Sequence, residues 1–290
     1  MFWQLFISGM ALGCVYALIA LGFVLIYKAT EVINFAQGEF MMVGAFVAFS
    51  LIHFAHIPFW ITVILTLLIM AAFGVLLDRL VMRFLVGEPV FSLVMFTIGL
   101  ALFLRSVAGM IWSTDTFAFP SPVSEAPAWN LSDAVAIAPG DLVVVGATAL
   151  LVLLLYLFFR FTNLGVAMQA TSQNQFAAYL MGINVEGMFS LVWALSAVVA
   201  AVAGILLAPI LFLHKDMGFI GIKAFPAAVL GGFGSIPGAI VGGLIIGVSE
   251  NLAGGFLPLW VKDIFAYLVL IAVLIVRPEG LFGLQEKKKV

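Results

Sequence analysis

Hydrophobic residues in this chain fall in long runs separated by short polar stretches. Most of the runs reach the roughly 20 residues that a helix needs to cross the hydrocarbon core of a bilayer. They predict membrane-spanning helices over residues 5–27, 31–54, 57–77, 90–112, 142–159, 188–213 and 260–276. Pro209 is expected to kink or end the helix in which it lies. The pattern is typical of an all-α polytopic membrane protein.

Residues 218–255 are also apolar, but their pattern is irregular. Pro226 and Pro237 bracket a cluster of glycines, and turn backbone that faced lipid would leave its N–H and C=O groups unsatisfied. We interpret this region as two spans or half-spans that meet inside protein at residues 232–237. The chain then has roughly 8–9 transmembrane segments, including broken or half-length helices.

Pairs of glycines in GxxxG spacing indicate helices that pack closely. Residues this small allow the backbone of a neighbouring helix to approach. We therefore expect helix–helix contacts at the three pairs, which are Gly9/Gly13, Gly238/Gly242 and Gly243/Gly247.

The longest internal interruption that resembles a helix covers residues 160–185. Ser172 and Gln175 have the spacing of a capping box, and Gly182 suits the end of a helix. This helix would be about two to three turns long, too short to cross a bilayer. Its apolar stripe would consist of Phe176, Tyr179 and Leu180. It is either a surface helix or a docking helix for another subunit.

Composition defines the class of protein. Hydrophobic residues make up 65% of the chain and charged residues 9%, and the mean hydropathy is +1.27. Such a chain cannot present a soluble surface, so we expect a single transmembrane domain over residues 1–290. Cys14 is the only cysteine, which excludes an internal disulfide and a thiolate metal site. No metal, cofactor or nucleic-acid partner is expected.

The placement of charge predicts the orientation. Asp115, Glu125, Asp133 and Asp141 lie in the proline-rich loop 112–141, which has no Lys or Arg. Basic residues at the opposite segment ends are Lys28, Arg79, Arg83, Arg160, Arg277, Lys287, Lys288 and Lys289. By the positive-inside rule, the N-terminus and loop 112–141 lie outside, whereas the C-terminus and loop 160–186 are cytoplasmic. Because loop 160–186 lacks the basic face of a membrane-surface helix, docking is the favoured interpretation.

Polar residues inside apolar segments are candidates for the transport path. Asn34, Gln37 and Glu39 lie where a span begins, and ionisable groups at this depth are costly unless they face a cavity or a partner. The alternative is a local role, with Asn34 as a helix cap and Glu39 at the positive end of the helix dipole. Glu250 and Asn251 have the same two interpretations. Arg105 is expected to pair with a buried carboxylate or to extend towards the interface.

Four motifs in this order resemble one family. EVINFAQGEFMMVGAF, QNQFAAYLMGINV, AVLGGFGSIPGAIVGGLIIG and RPEGLFG are similar to the permease subunits of branched-chain (hydrophobic) amino-acid ABC importers. The resemblance implies a bacterial inner-membrane protein that pairs with a second, related permease. It also implies two cytoplasmic ATPase subunits and a periplasmic substrate-binding protein. The residues that it assigns to the loop contacting an ATPase are Asn174, Ala177, Ala178, Gly182 and Ile183. Gln169 stands where the family is expected to have a basic residue.

The function expected from the sequence is therefore a non-catalytic transport subunit. The chain has no GxxxxGK[ST] loop, nucleophile elbow or HExxH motif, so it carries no visible hydrolytic chemistry and its energy must come from elsewhere. The resemblance implies that separate ATPase subunits supply it. The expected substrates are branched-chain or other small hydrophobic amino acids. Alternatives are a permease of the same type for urea, short amides or aromatic acids, and an ion-coupled secondary transporter. An ion-coupled transporter would be expected to carry several carboxylates deep within its spans.

Overall fold

The structure is a computed structural model that describes residues 2–85, 87–120, 129–132 and 135–283. The α-helices of this part of the chain are α1 (Phe2–Thr30), α2 (Gln37–His53), α3 (Phe59–Leu80), α4 (Val90–Trp112), α5 (Pro139–Phe161), α6 (Asn163–Gln173), α7 (Gln175–Leu180), α8 (Val185–Leu211), α9 (Ile220–Gly231), α10 (Ile236–Phe256) and α11 (Leu259–Val276). Two short 3-10 helices, Met82–Leu85 and Lys215–Phe219, lie in connections.

The long helices match the predicted spans. Among the described residues, α1, α3, α4, α5, α8 and α10 are long and apolar enough to cross a membrane. The shorter apolar helices are Gln37–His53 and Ile264–Val276. Pro209 lies near the end of α8, where the helix stops two residues later at Leu211.

Two helices form the centre of the bundle. In the most hydrophobic stretch of α1, 89% of residues are buried, and in α8 72% are buried, against 17% in α5. A helix that is apolar on all sides is stable when other helices surround it. Leu18 and Ile19 of α1 and Trp193 of α8 are accordingly enclosed in the core. α3, α4 and α5 lie around them with broad exposed faces.

The GxxxG glycines lie where helices touch through their backbones. A Cβ added to Gly9 or Gly13 of α1 would lie 3.0 or 2.9 Å from a Cα atom of α10. From the other side, a Cβ on Gly243 or Gly247 would meet the backbone of α1 at Ala17 or Gly13. Gly238 and Gly242 make the same kind of approach to α9.

The end of α9, where the break before α10 begins, is bonded to a later part of the chain. Gly232 follows α9 at φ +92°, a left-handed conformation that favours glycine. Ser235 then caps α10 by accepting a hydrogen bond from the Gly238 N–H. The backbone N–H groups of Leu281 and Phe282 donate to the last carbonyls of α9, at 2.8 and 3.2 Å. The last carbonyls of α9 are thus bonded within the protein, whereas Gly234 and Pro237 are exposed, so the prediction that the turn lies inside protein is met only in part.

The loop between α4 and α5 adds a feature to the helical fold. Strands β1 (Trp129–Ser132) and β2 (Val135–Ile137) pair in antiparallel fashion. Before them, the backbone of Phe117 bridges to Leu213 beyond α8. Some of the charged residues used to predict the orientation lie outside the described residues. They are Glu125, Asp133, Lys287, Lys288 and Lys289.

Candidate transport path and coupling segment

The predicted span 31–54 is only partly helical. Residues 31–36 form no helix, and α2 begins at Gln37 inside the bundle. The structure differs from the interpretation of Asn34 as a helix cap, because the N-cap residue is Ala36, which makes no side-chain cap hydrogen bond. Asn34 instead accepts a hydrogen bond from the Ala36 N–H at 3.1 Å and closes a turn before the helix.

Asn34 and Gln37 belong to one buried network of hydrogen bonds. Both are inaccessible to solvent in this subunit. The Asn34 amide donates to the Gln37 side-chain oxygen at 3.3 Å, and the Gln37 amide donates to the Ser196 carbonyl at 3.3 Å. The Ser196 hydroxyl lies within hydrogen-bond distance of Gln37 and of the Gly22 carbonyl. These bonds join the non-helical start of α2 to α8 and α1.

Glu39 forms an ion pair with Arg105 of α4. This ion pair agrees with the prediction that Arg105 pairs with a buried carboxylate. The Arg105 guanidinium also stacks 3.7 Å above the ring of Phe219, and a Cβ on Gly218 would lie 2.7 Å from the Glu39 carboxylate. Glu39 is 3% exposed and Arg105 16%. The pair thus joins α2, α4 and the 3-10 helix before α9, with Arg105 at the edge of the subunit.

The ion pair lies where two interrupted helices begin. A Cβ on Gly38 of α2 would meet the Gly218 carbonyl, and one on Gly221 of α9 would meet the Gly38 backbone. Helix N-termini carry partial positive charge. A carboxylate between them, such as that of Glu39, is therefore favourably placed.

Glu250 and Asn251 make separate contacts on α10. The Tyr16 hydroxyl donates to Glu250 at 2.8 Å, and the Lys223 ammonium lies 3.7 Å from the same carboxylate. Asn251 donates to the Leu5 carbonyl at 2.6 Å. The candidate path residues thus fall into two groups, one around α2 and one between α1, α9 and α10.

The predicted coupling helix begins at a different residue from the one expected. Ser172 lies in the last turn of α6, and its hydroxyl donates to the Gln169 carbonyl at 2.8 Å. The capping-box prediction for Ser172 and Gln175 is therefore wrong. Asn174 is the N-cap, and its side chain accepts from the Ala177 N–H at 2.9 Å. The single helix of two to three turns is replaced by α6 and the shorter α7.

The predicted end of this helix at Gly182 agrees with the structure. Gly182 has φ +81° and donates to the Tyr179 carbonyl at 2.9 Å, and Ile183 donates to the Ala178 carbonyl at 3.1 Å. This pair of bonds is a Schellman motif. Ala178 is buried and attaches α7 to the bundle.

The apolar stripe of α7 is exposed. Phe176, Tyr179 and Leu180 are 72%, 69% and 66% exposed, and the adjacent Met181 is exposed as well. Large apolar side chains exposed side by side mark an interaction surface. We call these four residues the α7 patch.

A polar cluster beneath α7 was not predicted. Asp78 at the end of α3 accepts from the Ser190 hydroxyl of α8 at 2.5 Å, and Arg83 lies 3.9 Å from Asp78 and 2.9 Å from Glu186. The sequence does place Asp78 and Arg83 at a segment end. It has no signal that pairs them with α8, because the contact depends on tertiary packing.

The described residues hold no group of three or more His, Cys, Asp or Glu side chains that could bind a metal ion. His53 stacks on Phe49, with 5.1 Å between the ring centroids.

Comparison with known proteins places these features in a family. Residues 5–274 match the family described as branched-chain amino acid transport system / permease component. The LivH permease of the Salmonella typhimurium high-affinity branched-chain amino acid transport system is 35% identical over 100% of this chain and 98% of its own. For Escherichia coli LivH the identity is 34%, with the same coverage. Pseudomonas aeruginosa BraD is 32% identical over 99% of this chain and 97% of its own. The chain belongs to the family of permease components of branched-chain amino acid transport systems.

Proposed function

We propose that this chain is one of two permease subunits of an ATP-driven importer and forms half of the transport path for branched-chain amino acids. The observation that carries the proposal is the family match over residues 5–274. The sequence has no nucleotide-binding loop, and in this proposal two separate cytoplasmic subunits hydrolyse ATP. A periplasmic binding protein delivers the substrate to the other face.

The membrane topology that we propose has nine segments, α1–α5 and α8–α11. α9 has 12 residues and, at about 1.5 Å per residue, covers only part of a bilayer core about 30 Å thick. Because nine is an odd number, the two termini lie on opposite sides of the membrane, and we place the N-terminus outside and the C-terminus in the cytoplasm. The ends of α1, α3 and α5 near Lys28, Arg79 and Arg160 then face the cytoplasm, in agreement with the positive-inside rule.

The path that we propose runs along the face formed by α2, α4 and the start of α9. An ion pair at membrane depth is costly against lipid and is retained where it faces water, substrate or a partner subunit. Arg105 reaches this face while Glu39 lies behind it. The second permease would cover the face and complete the path. Asn34 and Gln37 support it from behind, while Glu250 and Asn251 contribute from α10.

The α7 patch is the proposed contact with an ATPase subunit. It lies at the basic end of the bundle, next to the start of α8. α7 is attached through Ala178 and continues, through Ile183 and Asn184, into the central helix α8. A displacement of α7 by the ATPase would therefore act on α8, whose Ser196 bonds to Gln37 of α2. Ion pairing at Gln169 is not part of this contact, because glutamine is uncharged; its amide donates to the Phe159 carbonyl at 2.9 Å.

The proposed function can be tested with the assembled complex in proteoliposomes. ATP enclosed with the ATPase subunits should drive uptake of leucine, isoleucine and valine when the binding protein is added outside. A complex with a hydrolysis-deficient ATPase subunit is the control. Uptake driven by a proton or sodium gradient without ATP would overturn the proposal. ATP-driven uptake of only urea, short amides or aromatic acids would change the substrate.

A further inference from the structure

A cavity of about 140 Å³ lies at the basic end of the bundle, between the spans and α7. Its wall includes Thr30, Asp78, Leu93, Gln175, Phe189 and Trp193. Phe189 and Trp193 are buried and apolar, whereas Asp78 places a carboxylate in the wall. This cavity is separate from the Glu39–Arg105 pair.

Only one of the two oxygens of the Asp78 carboxylate is approached by donors of the protein. Its side chain is 4% exposed, and both the Ser190 hydroxyl and the Arg83 guanidinium approach the same oxygen, Oδ2. No donor among the described residues bonds to Oδ1. Oδ1 is not among the buried side-chain atoms that lack a partner, so it is accessible where Asp78 lines the cavity, and a ligand can donate to it there.

The size and lining of the cavity define the class of ligand. An apolar cavity of about 150 Å³ accepts benzene, so a four-carbon aliphatic side chain fits this one. An ammonium group would donate to Asp78 Oδ1 while the aliphatic part contacts Leu93, Phe189 and Trp193. A carboxylate on the same ligand would lie towards the exposed amide of Gln175.

We propose that this cavity binds a small aliphatic α-amino acid from the cytoplasmic side. A bound amino acid contacts both Asp78 of α3 and Gln175, the first residue of α7. Occupancy therefore holds α7 against the spans and slows ATP turnover when the cytoplasmic amino acid is abundant. The cytoplasmic location and the choice of leucine as the probe rest on the proposed function.

The binding experiment uses the complete complex in nanodiscs, without ATP or the binding protein. Equilibrium dialysis with labelled L-leucine should give saturable binding. The ligand class is tested by competition. 3-Methylbutylamine, which keeps the ammonium group, should compete, whereas 4-methylpentanoate, which lacks it, should not. Trp193→Phe should remove the fluorescence change that accompanies binding, because Trp193 lines the cavity.

Two variants locate the site. Asp78→Asn should weaken leucine binding by about tenfold or more, since it removes the charged acceptor. Leu93→Trp should abolish binding by filling the cavity while leaving the carboxylate in place. Asp141→Asn, at the opposite end of the bundle, is the matched control and should bind as the parent does. Should Asp78→Asn fail to assemble, Leu93→Trp decides alone.

The proposed effect of the bound amino acid on the ATPase is tested by measuring ATP hydrolysis. In nanodiscs without the binding protein, leucine should lower the basal ATP turnover of the parent complex but not that of Leu93→Trp. Absence of saturable binding in a parent complex that still takes up leucine would overturn the cavity proposal and leave the proposed function intact. Binding that is unchanged in Leu93→Trp would also overturn it, because the leucine would then occupy another site.

Discussion

Gly247 of α10 lies against the backbone of Gly13 in α1, with no side chain between the two helices. The contact brings a helix near the end of the chain directly onto the central helix. Small residues at such positions let van der Waals contacts form between backbones, a main source of helix association in a bilayer. The close packing at this point therefore depends on both residues lacking a Cβ atom.

Gly247→Ala should destabilise the subunit by about 1–3 kcal/mol, because its Cβ would overlap the backbone of α1. Gly99→Ala is the matched control, since nothing lies within 4 Å of a Cβ there. It should leave stability unchanged or raise it by up to about 1 kcal/mol, as alanine favours a helix. Thermal unfolding in detergent measures both. An equal melting temperature for the two variants would contradict the close packing.

Glu39→Gln should abolish uptake and destabilise the subunit by about 3–5 kcal/mol, because Arg105 would keep a largely buried charge without its carboxylate. The double variant Glu39→Gln with Arg105→Met removes both charges and should recover most of the lost stability. If the pair faces the path, the double variant remains inactive in uptake assays. Recovery of both stability and uptake would show that the pair has a structural role only.

Phe176→Asp should release the ATPase subunit, because it places a charge in the apolar α7 patch, where a few anchors dominate the contact. Leu164→Asp is the control, since Leu164 is a half-exposed apolar residue in α6 outside the patch. The amount of ATPase that copurifies with each variant measures the effect. Full retention with Phe176→Asp would place the ATPase contact elsewhere.

Asn174→Ala should weaken α7 by about 1 kcal/mol, because the Ala177 N–H loses its capping oxygen. Ser172→Ala removes only a bond to a carbonyl within α6 and should be close to neutral. Substrate-stimulated ATP turnover should therefore fall in the first variant and not in the second. A larger loss of ATP turnover in Ser172→Ala than in Asn174→Ala would instead support the capping box predicted for Ser172 and Gln175.

The positions of the spans could be predicted because long apolar runs have few alternatives in a membrane protein. The start of α7 could not, because Ser172 and Asn174 are both good caps and lie two positions apart. The choice depends on how far α6 extends, and α6 itself begins at the Thr162 cap, for which the apolar pattern has no signal.

The candidate path residues could be selected from the sequence, but their arrangement could not. Polarity within a span is enough to select Glu39 and Glu250. Their partners, Arg105 and Tyr16, lie far away in sequence, and only the packing of α4 and α1 brings them close. For the same reason the sequence could not show that Glu39 and Glu250 lie in separate groups.

The bonds from Leu281 and Phe282 to the end of α9 also have a consequence for biosynthesis. α9 and α10 leave the ribosome well before these residues, so the last carbonyls of α9 have no such partners while the membrane helices are being inserted. The hairpin must therefore enter the bilayer with its turn incomplete. The turn can close only after Leu281 and Phe282 have themselves left the ribosome.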